Sequence, residues 1–198
     1  MTREIRLSDF DLGHLVSAAS RLQSNWESRN IDFCFIGGLA VQHWGEPRLT
    51  GDVDATVWTE FGNERPVVAQ LLENLTPRIE NAEGFALVNR VLLAQESYGV
   101  DVDISLAAFP FELELIKRSR KRPFIGGKLL RICDASDLVI LKAFANRPRD
   151  WQDIQGILIR SESELDWEHI ETEVTMLADL KEEPEIIDHL KGLRNRLS

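Results

Sequence analysis

The sequence predicts an α/β (α+β) fold: a small mixed sheet with helices packed on it, followed by a mostly helical C-terminal part. Three observations carry that reading. Short apolar runs alternate with segments of helical periodicity through the first two thirds of the 198 residues. Residues 100–106 (Val-Asp-Val-Asp-Ile-Ser-Leu) alternate strictly between apolar and polar, as a half-covered strand does. Beyond residue 135 only helical patterns remain, with a Pro at one helix start and acids in the first turns.

Residues 8–27 repeat apolar positions at helical spacing (Leu12, Leu15, Val16, Ala19, Leu22, Trp26), with Ser8 as the expected cap and Asn30 as the stop. Residues 31–36 form a nearly unbroken apolar run, expected as a strand covered on both faces. Gly37-Gly38 should turn the chain into a short helix over 39–44, and 45–51 should be a loop before a second strand over 53–58. A helix is expected over 63–75, a third strand over 85–94, a turn at Tyr98-Gly99 and the alternating strand over 100–106. Residues 110–118 suit a helix, 124–132 a hairpin turning at Gly126-Gly127, and Ser136 a cap for a helix over 137–145. Helices from Pro148 to 159, over 166–180 and over 184–197 complete the chain. The expected division is a domain of residues 1–135 and a helical subdomain of residues 136–198, with no linker composition to sharpen the boundary.

Composition narrows the classes. A hydrophobic content of 43% is ordinary for a globular protein, and no apolar run reaches the ~20 residues that span a bilayer, so no membrane partner is expected. No basic-then-apolar leader is visible, and Cys34 and Cys133 sit among strand-like residues as small hydrophobes, so the expectation is a cytoplasmic protein with reduced thiols. A net charge of −10 excludes a protein that coats nucleic acid non-specifically. Its distribution is uneven. Lys117, Arg118, Arg120, Lys121, Arg122, Lys128 and Arg131 occur in a stretch without an acid, while the chain beyond residue 161 is acidic and reads as solvated helix faces. The basic stretch reads either as a solvated surface or as a contact for triphosphate or nucleic acid.

The stretch with most chemical content is residues 35–58. An apolar run ends in Gly37-Gly38, a short helix follows, and a turn rich in Gly and Pro delivers Asp52 and Asp54 into the next apolar run. On a strand these two carboxylates project from one face while Val53 and Ala55 point to the other. Two such acids repel unless a cation lies between them, which suits Mg²⁺ with its oxygen ligands. Asp101 and Asp103 lie on the polar face of another strand, and the residues alone leave open which of them joins the pair, or whether both are surface acids.

The order Ile36-Gly37-Gly38, spacer, Asp52-Val53-Asp54-Ala55 resembles the nucleotidyltransferase superfamily, with its DNA polymerase β-like fold, and Arg48-x-Thr50-x-Asp52-x-Asp54 is similar to the branch of minimal enzymes containing AbiEii-type toxins. The phrase Val102-Asp103-Ile104 followed by Pro110-Phe111-Glu112 resembles the part of that family that supplies a third carboxylate, which selects Asp103. Downstream, residues 136–142 with Lys142, then Arg147-Pro148-Arg149-Asp150 and Asp153, resemble the helical part of the same branch. A lysine on an apolar helix face must carry its ammonium to water or to an anion. Asp150 and Asp153 read first as acids stabilising a helix start, and second as partners of Lys142 or Arg48. His43 and Trp44 read as packing residues.

The resemblance implies an enzyme that moves a nucleoside monophosphate from an NTP to a hydroxyl acceptor, RNA or protein, with two Mg²⁺ ions for which Mn²⁺ could substitute. It implies Asp52, Asp54 and Asp103 as catalytic metal ligands, Gly37, Gly38, Arg48, Thr50 and Lys142 as nucleotide-binding residues, and a toxin–antitoxin or defence setting with a cognate partner protein. Gly38 replaces the family's usual Ser and removes a hydroxyl contact to phosphate. The alternative is a catalytically degenerate protein that binds a nucleotide or a partner, as an antitoxin does.

Overall fold

The computed structural model describes the backbone of residues 7–197 and the side chains of residues 12–197. The chain forms two compact units, residues 1–39 with 49–133 and residues 40–48 with 134–198. Among the described residues no helix is long and apolar enough to cross a membrane.

The first unit is built on a seven-stranded mixed sheet. Its strands are β1 (Phe33–Phe35), β2 (Asp52–Trp58), β3 (Thr76–Pro77), β4 (Val91–Gln95), β5 (Asp101–Ala107), β6 (Arg120–Pro123) and β7 (Leu129–Ile132), in the order β3-β4-β5-β2-β1-β7-β6. The helices of this unit are α1 (Leu7–Ser28), the start of α2 (Gly37–Trp44), α3 (Glu64–Leu72), α4 (Ala82–Asn89) and α5 (Pro110–Arg118). Helix α1 buries Leu15, Val16, Ala18, Ala19, Leu22 and Trp26, the spacing expected of one apolar stripe, and ends in a turn where Asn30 takes φ 55°. The Ser8 side chain expected to cap it lies outside the described residues. All three residues of β1 are buried, as a strand covered on both faces requires, and Trp26 packs edge-on against Phe33 at 5.0 Å between ring centres.

The central pairing is parallel: β2 lies beside β5 with Asp52 opposite Asp101 and Asp54 opposite Asp103. Strand β1 runs antiparallel to β2 and parallel to β7. The alternation read at residues 100–106 is the burial pattern of β5, where Val102, Ile104 and Leu106 are buried and Asp101, Asp103 and Ser105 are half-exposed.

One expected strand is largely a helix. Residues 82–89 form α4, because Asn81 accepts a hydrogen bond from the Gly84 amide at its start and Ala82 and Ala86, four apart, both face inward. Arg90, left-handed at φ 55°, ends α4 and starts β4. The expected strand of residues 85–94 thus holds two elements, which meet at the polar pair Asn89-Arg90. The two-residue β3 was not expected, and the first arm of the hairpin is the basic segment Arg120–Pro123. The turn between the arms holds Gly126 and Gly127 at φ 71° and 69°, a conformation glycine adopts without strain.

The second unit holds residues 40–48 with α6 (Ala135–Ala145), α7 (Pro148–Ser161), a 3₁₀ turn (Glu162–Glu164), α8 (Trp167–Lys181) and α9 (Glu185–Leu197). The cap of α6 is Asp134, which accepts from the Ser136 amide at 3.0 Å, so the cap lies two residues before the expected Ser136. Pro148 occupies the first turn of α7, and Asp166 caps α8. The segment 40–48 seats on α7: Ser161 Oγ donates to the Trp44 carbonyl at 2.7 Å, and Trp44 is buried with His43 edge-on to its ring at 4.5 Å.

Candidate active site

Asp52 and Asp54 emerge from the same face of β2, two residues apart, and Asp103 stands beside Asp54 on the parallel strand β5. One carboxylate oxygen from each lies within 4.8 Å of the others, all three side chains are half-buried, and the set can hold a metal ion. The donors are oxygens only, which fits a hard divalent cation.

The glycine pair shapes this cluster. Gly37 takes φ 54°, and a Cβ there would overlap the Asp54 carboxylate. The Gly38 amide, in the first turn of α2, donates to Asp54 Oδ2 at 3.3 Å. At Gly38 a Cβ would overlap the Thr50 hydroxyl, so a larger residue such as Ser has no room here; Thr50 fills the place and donates to Asp52 Oδ1 at 3.0 Å. Thr50 and both glycines therefore fix the two carboxylates of β2.

Arg78, just beyond β3, was not anticipated from the sequence. Its guanidinium lies 2.9 Å from Asp103 and 3.3 Å from Asp101. The Arg78 amide donates to the Leu93 carbonyl, extending the β3–β4 ladder and directing the side chain to β5. No motif marks it, because a two-residue strand leaves no periodic signal. Asp101 lies outside the cluster of three and accepts from the Gln95 amide at 3.0 Å. Burial pushes the Asp103 carboxyl above its ordinary range; the Arg78 charge opposes this, and the Asp52 and Asp101 charges add to it.

Glu112, in the phrase that pointed to a third carboxylate, caps α5: Oε2 accepts from the amides of Ala108 and Phe109 at 2.8 and 2.9 Å.

Arg48 and Lys142 belong to the second unit, in a buried ion network. Lys142 Nζ lies 2.8 Å from both Asp150 Oδ1 and Asp153 Oδ2. Arg48 grips Asp153 through two nitrogens at 2.7 and 2.9 Å, and Arg147 Nε meets Asp150 at 2.6 Å. Burial alone would raise Asp150 and Asp153; hydrogen bonds and charges from Arg147, Arg48 and Lys142 more than offset it, and both carboxyls lie below their ordinary range.

Comparison with solved structures shows what this fold, a mixed sheet with a glycine turn ahead of carboxylates on two parallel central strands, is similar to. The nucleotidyltransferase-like antigenic protein of Paracoccidioides brasiliensis aligns with 93% of this chain and 94% of its own length, at a TM-score of 0.51 and 16% identity. The solution structure of the antibiotic-resistance factor ANT(2'')-Ia aligns with 90% of this chain and 98% of its own, at a TM-score of 0.57 and 16% identity. At such identity the likeness is one of fold. No family model matches the sequence, and no curated protein matches it.

Proposed function

We propose that the chain is a Mg²⁺-dependent nucleotidyltransferase that moves a nucleoside monophosphate from an NTP to a hydroxyl acceptor. The observation that carries this reading is the cluster of Asp52, Asp54 and Asp103, three oxygen-donor side chains within 4.8 Å on adjacent parallel strands. Asp52 and Asp54 would hold two ions and Asp103 one of them; the ions would lower the pKa of the acceptor hydroxyl and offset charge on the departing pyrophosphate. The chain's own part is positional. Thr50 fixes the rotamer of Asp52, and Gly37-Gly38 bring the amides at the start of α2 against Asp54, where a triphosphate would meet them. Arg48 and Lys142 are paired with Asp153 and Asp150, but with Arg147 the network holds three cations against two carboxylates, so a contact of either residue with a triphosphate stays part of the proposal.

The acceptor class, RNA or protein, the cytoplasmic setting and a toxin–antitoxin role with a cognate partner rest on the likeness of Arg48-x-Thr50-x-Asp52-x-Asp54 to the AbiEii-type branch. A second reading draws on Arg78. Its guanidinium against Asp103 supplies a positive charge to the cluster, as a degenerate protein that binds a nucleotide or a partner without turnover would need. Incubation with each labelled NTP, with total RNA and with protein acceptors, in Mg²⁺, in Mn²⁺ and in chelator, separates the two. Metal-dependent labelling that Asp54→Ala abolishes is the expected result. NTP binding without labelling of any acceptor favours the second reading.

A further inference from the structure

We propose that the first unit carries a second binding site, for a zwitterion with an apolar body of the amino-acid or short-peptide class, in the cavity at the N-terminal end of β1. The cavity has a volume of about 510 Å³ and is lined by the end of α1, residues 30–33, α5 and β7. It lies at the opposite end of β1 from Gly37, which abuts Asp54. The proposal therefore stands apart from the metal-site reading.

Its floor is apolar, with Ile31, Leu113 and Ile116. Its charges are Glu27, Asp32, Lys117 and Arg131. Two of these are already engaged: Glu27 pairs with Lys121 at 2.8 Å, and Lys117 pairs with Glu114 at 2.8 Å. The other two, the Arg131 guanidinium and the Asp32 carboxylate, have no ion-pair or hydrogen-bond partner among the described residues, although both line the same cavity.

A second observation concerns Arg131. The register of the hairpin sets it directly opposite Lys121, a like-charge cross-strand pair that costs stability unless anions meet it. Glu27 meets Lys121, and among the described residues no anion meets the Arg131 guanidinium. Arg131 is half-buried, so water screens it less than a surface cation, and its planar fork suits a carboxylate. A ligand carboxylate on Arg131, an ammonium on the exposed Asp32 and an aliphatic side chain over Ile31, Leu113 and Ile116 match the two charges that have no partner and the apolar part of the lining.

Calorimetry on the full chain with leucyl-leucine, N-acetyl-leucyl-leucine and leucyl-leucine amide tests each contact. The free dipeptide should bind saturably; the amidated form should bind on the order of tenfold more weakly, since it leaves the half-buried Arg131 guanidinium without a carboxylate, and the acetylated form should lose less, since water reaches the exposed Asp32 carboxylate. Arg131→Gln should abolish the preference for the free over the amidated carboxyl, and Asp32→Asn the preference for the free over the acetylated amine. Both lie outside the metal cluster, and a cooperative urea unfolding transition like that of the wild-type chain serves as the check that the variants are folded. No saturable binding of the dipeptide, or equal binding of all three peptides by the wild-type chain, overturns the proposal.

Discussion

Two groups of aspartates in this molecule stand in opposite electrostatic conditions. Asp52, Asp54 and Asp103 face one another on two strands with a single arginine, Arg78, beside them, and Asp103 is pushed upward. Asp150 and Asp153 are held by Lys142, Arg48 and Arg147, and both are pushed downward. The second group has three cations against its two carboxylates; in the first, Arg78 pairs with Asp103. A like-charged cluster kept half-exposed costs folding energy, so it persists where a cation from solution completes it. The two buried carboxylates of the second group, held by three cations, fix the packing of its helices.

The sharpest way to break this contrast is through catalysis. Asp54→Ala and Asp103→Asn should each lower nucleotidyl transfer by about 10²-fold or more, since a mispositioned nucleophile alone costs that much. Neither should lower the unfolding free energy in metal-free buffer, because each removes one of several mutually repelling charges. Transfer at the wild-type rate by Asp54→Ala would remove the metal role from this cluster.

The second group should respond in the reverse sense. Lys142→Ala leaves two buried carboxylates facing each other and should cost ~3–5 kcal/mol in urea denaturation. Lys142→Arg should recover part of it by keeping the charge. An unfolding free energy unchanged in Lys142→Ala would show that Arg48 and Arg147 suffice.

Both groups were visible in the sequence to different depths. The spacing Asp52-Val53-Asp54 and the alternation of residues 100–106 placed four acids on strand faces, because a period of two leaves no other arrangement. The parallel register that sets Asp54 beside Asp103 depends on a crossover through α3, β3, α4 and β4, which no local signal encodes. Arg78 was invisible for the same reason. The acids Asp150 and Asp153 were weighed as helix-start residues and as partners of Lys142 or Arg48, yet their burial follows from packing within the helical unit and from no pattern in their own helix. The α4 error has a different cause: the polar pair Asn89-Arg90, where the chain turns left-handed, marks the break between helix and strand and was read through as part of one strand.

Metal should distinguish the groups next. With Mg²⁺ at a hundredfold excess over its Kd, the wild-type chain should gain about 2.7 kcal/mol, a shift of several degrees in Tm. The shift should vanish in Asp54→Ala and persist in a destabilised Asp150→Asn variant. A shift of equal size in Asp54→Ala would place the ion elsewhere.

The smallest expected effect is that of pH, and its sign differs between the groups. Asp103 has a folded-state pKa above its unfolded one, so its contribution to stability is present below the unfolded value of 3.8 and is lost as pH rises through the raised value. Asp150 and Asp153 have lowered pKa values, so their contribution is present above 3.8 and is lost as pH falls through the lowered values. In metal-free urea titrations Asp103→Asn should therefore raise stability at pH 7 and leave it unchanged at pH 3, where the wild-type carboxyl is already protonated. Asp150→Asn should lower stability at pH 7, with the deficit narrowing as acid titrates the wild-type carboxylate. Asp101→Asn should change little at either pH, because Asp101 is the more exposed of the two acids on β5, with its side chain 45% accessible against 33% for Asp103. A gain at pH 7 in Asp101→Asn as large as that in Asp103→Asn would mean that the repulsion is spread along β5 and is not centred on the three carboxylates.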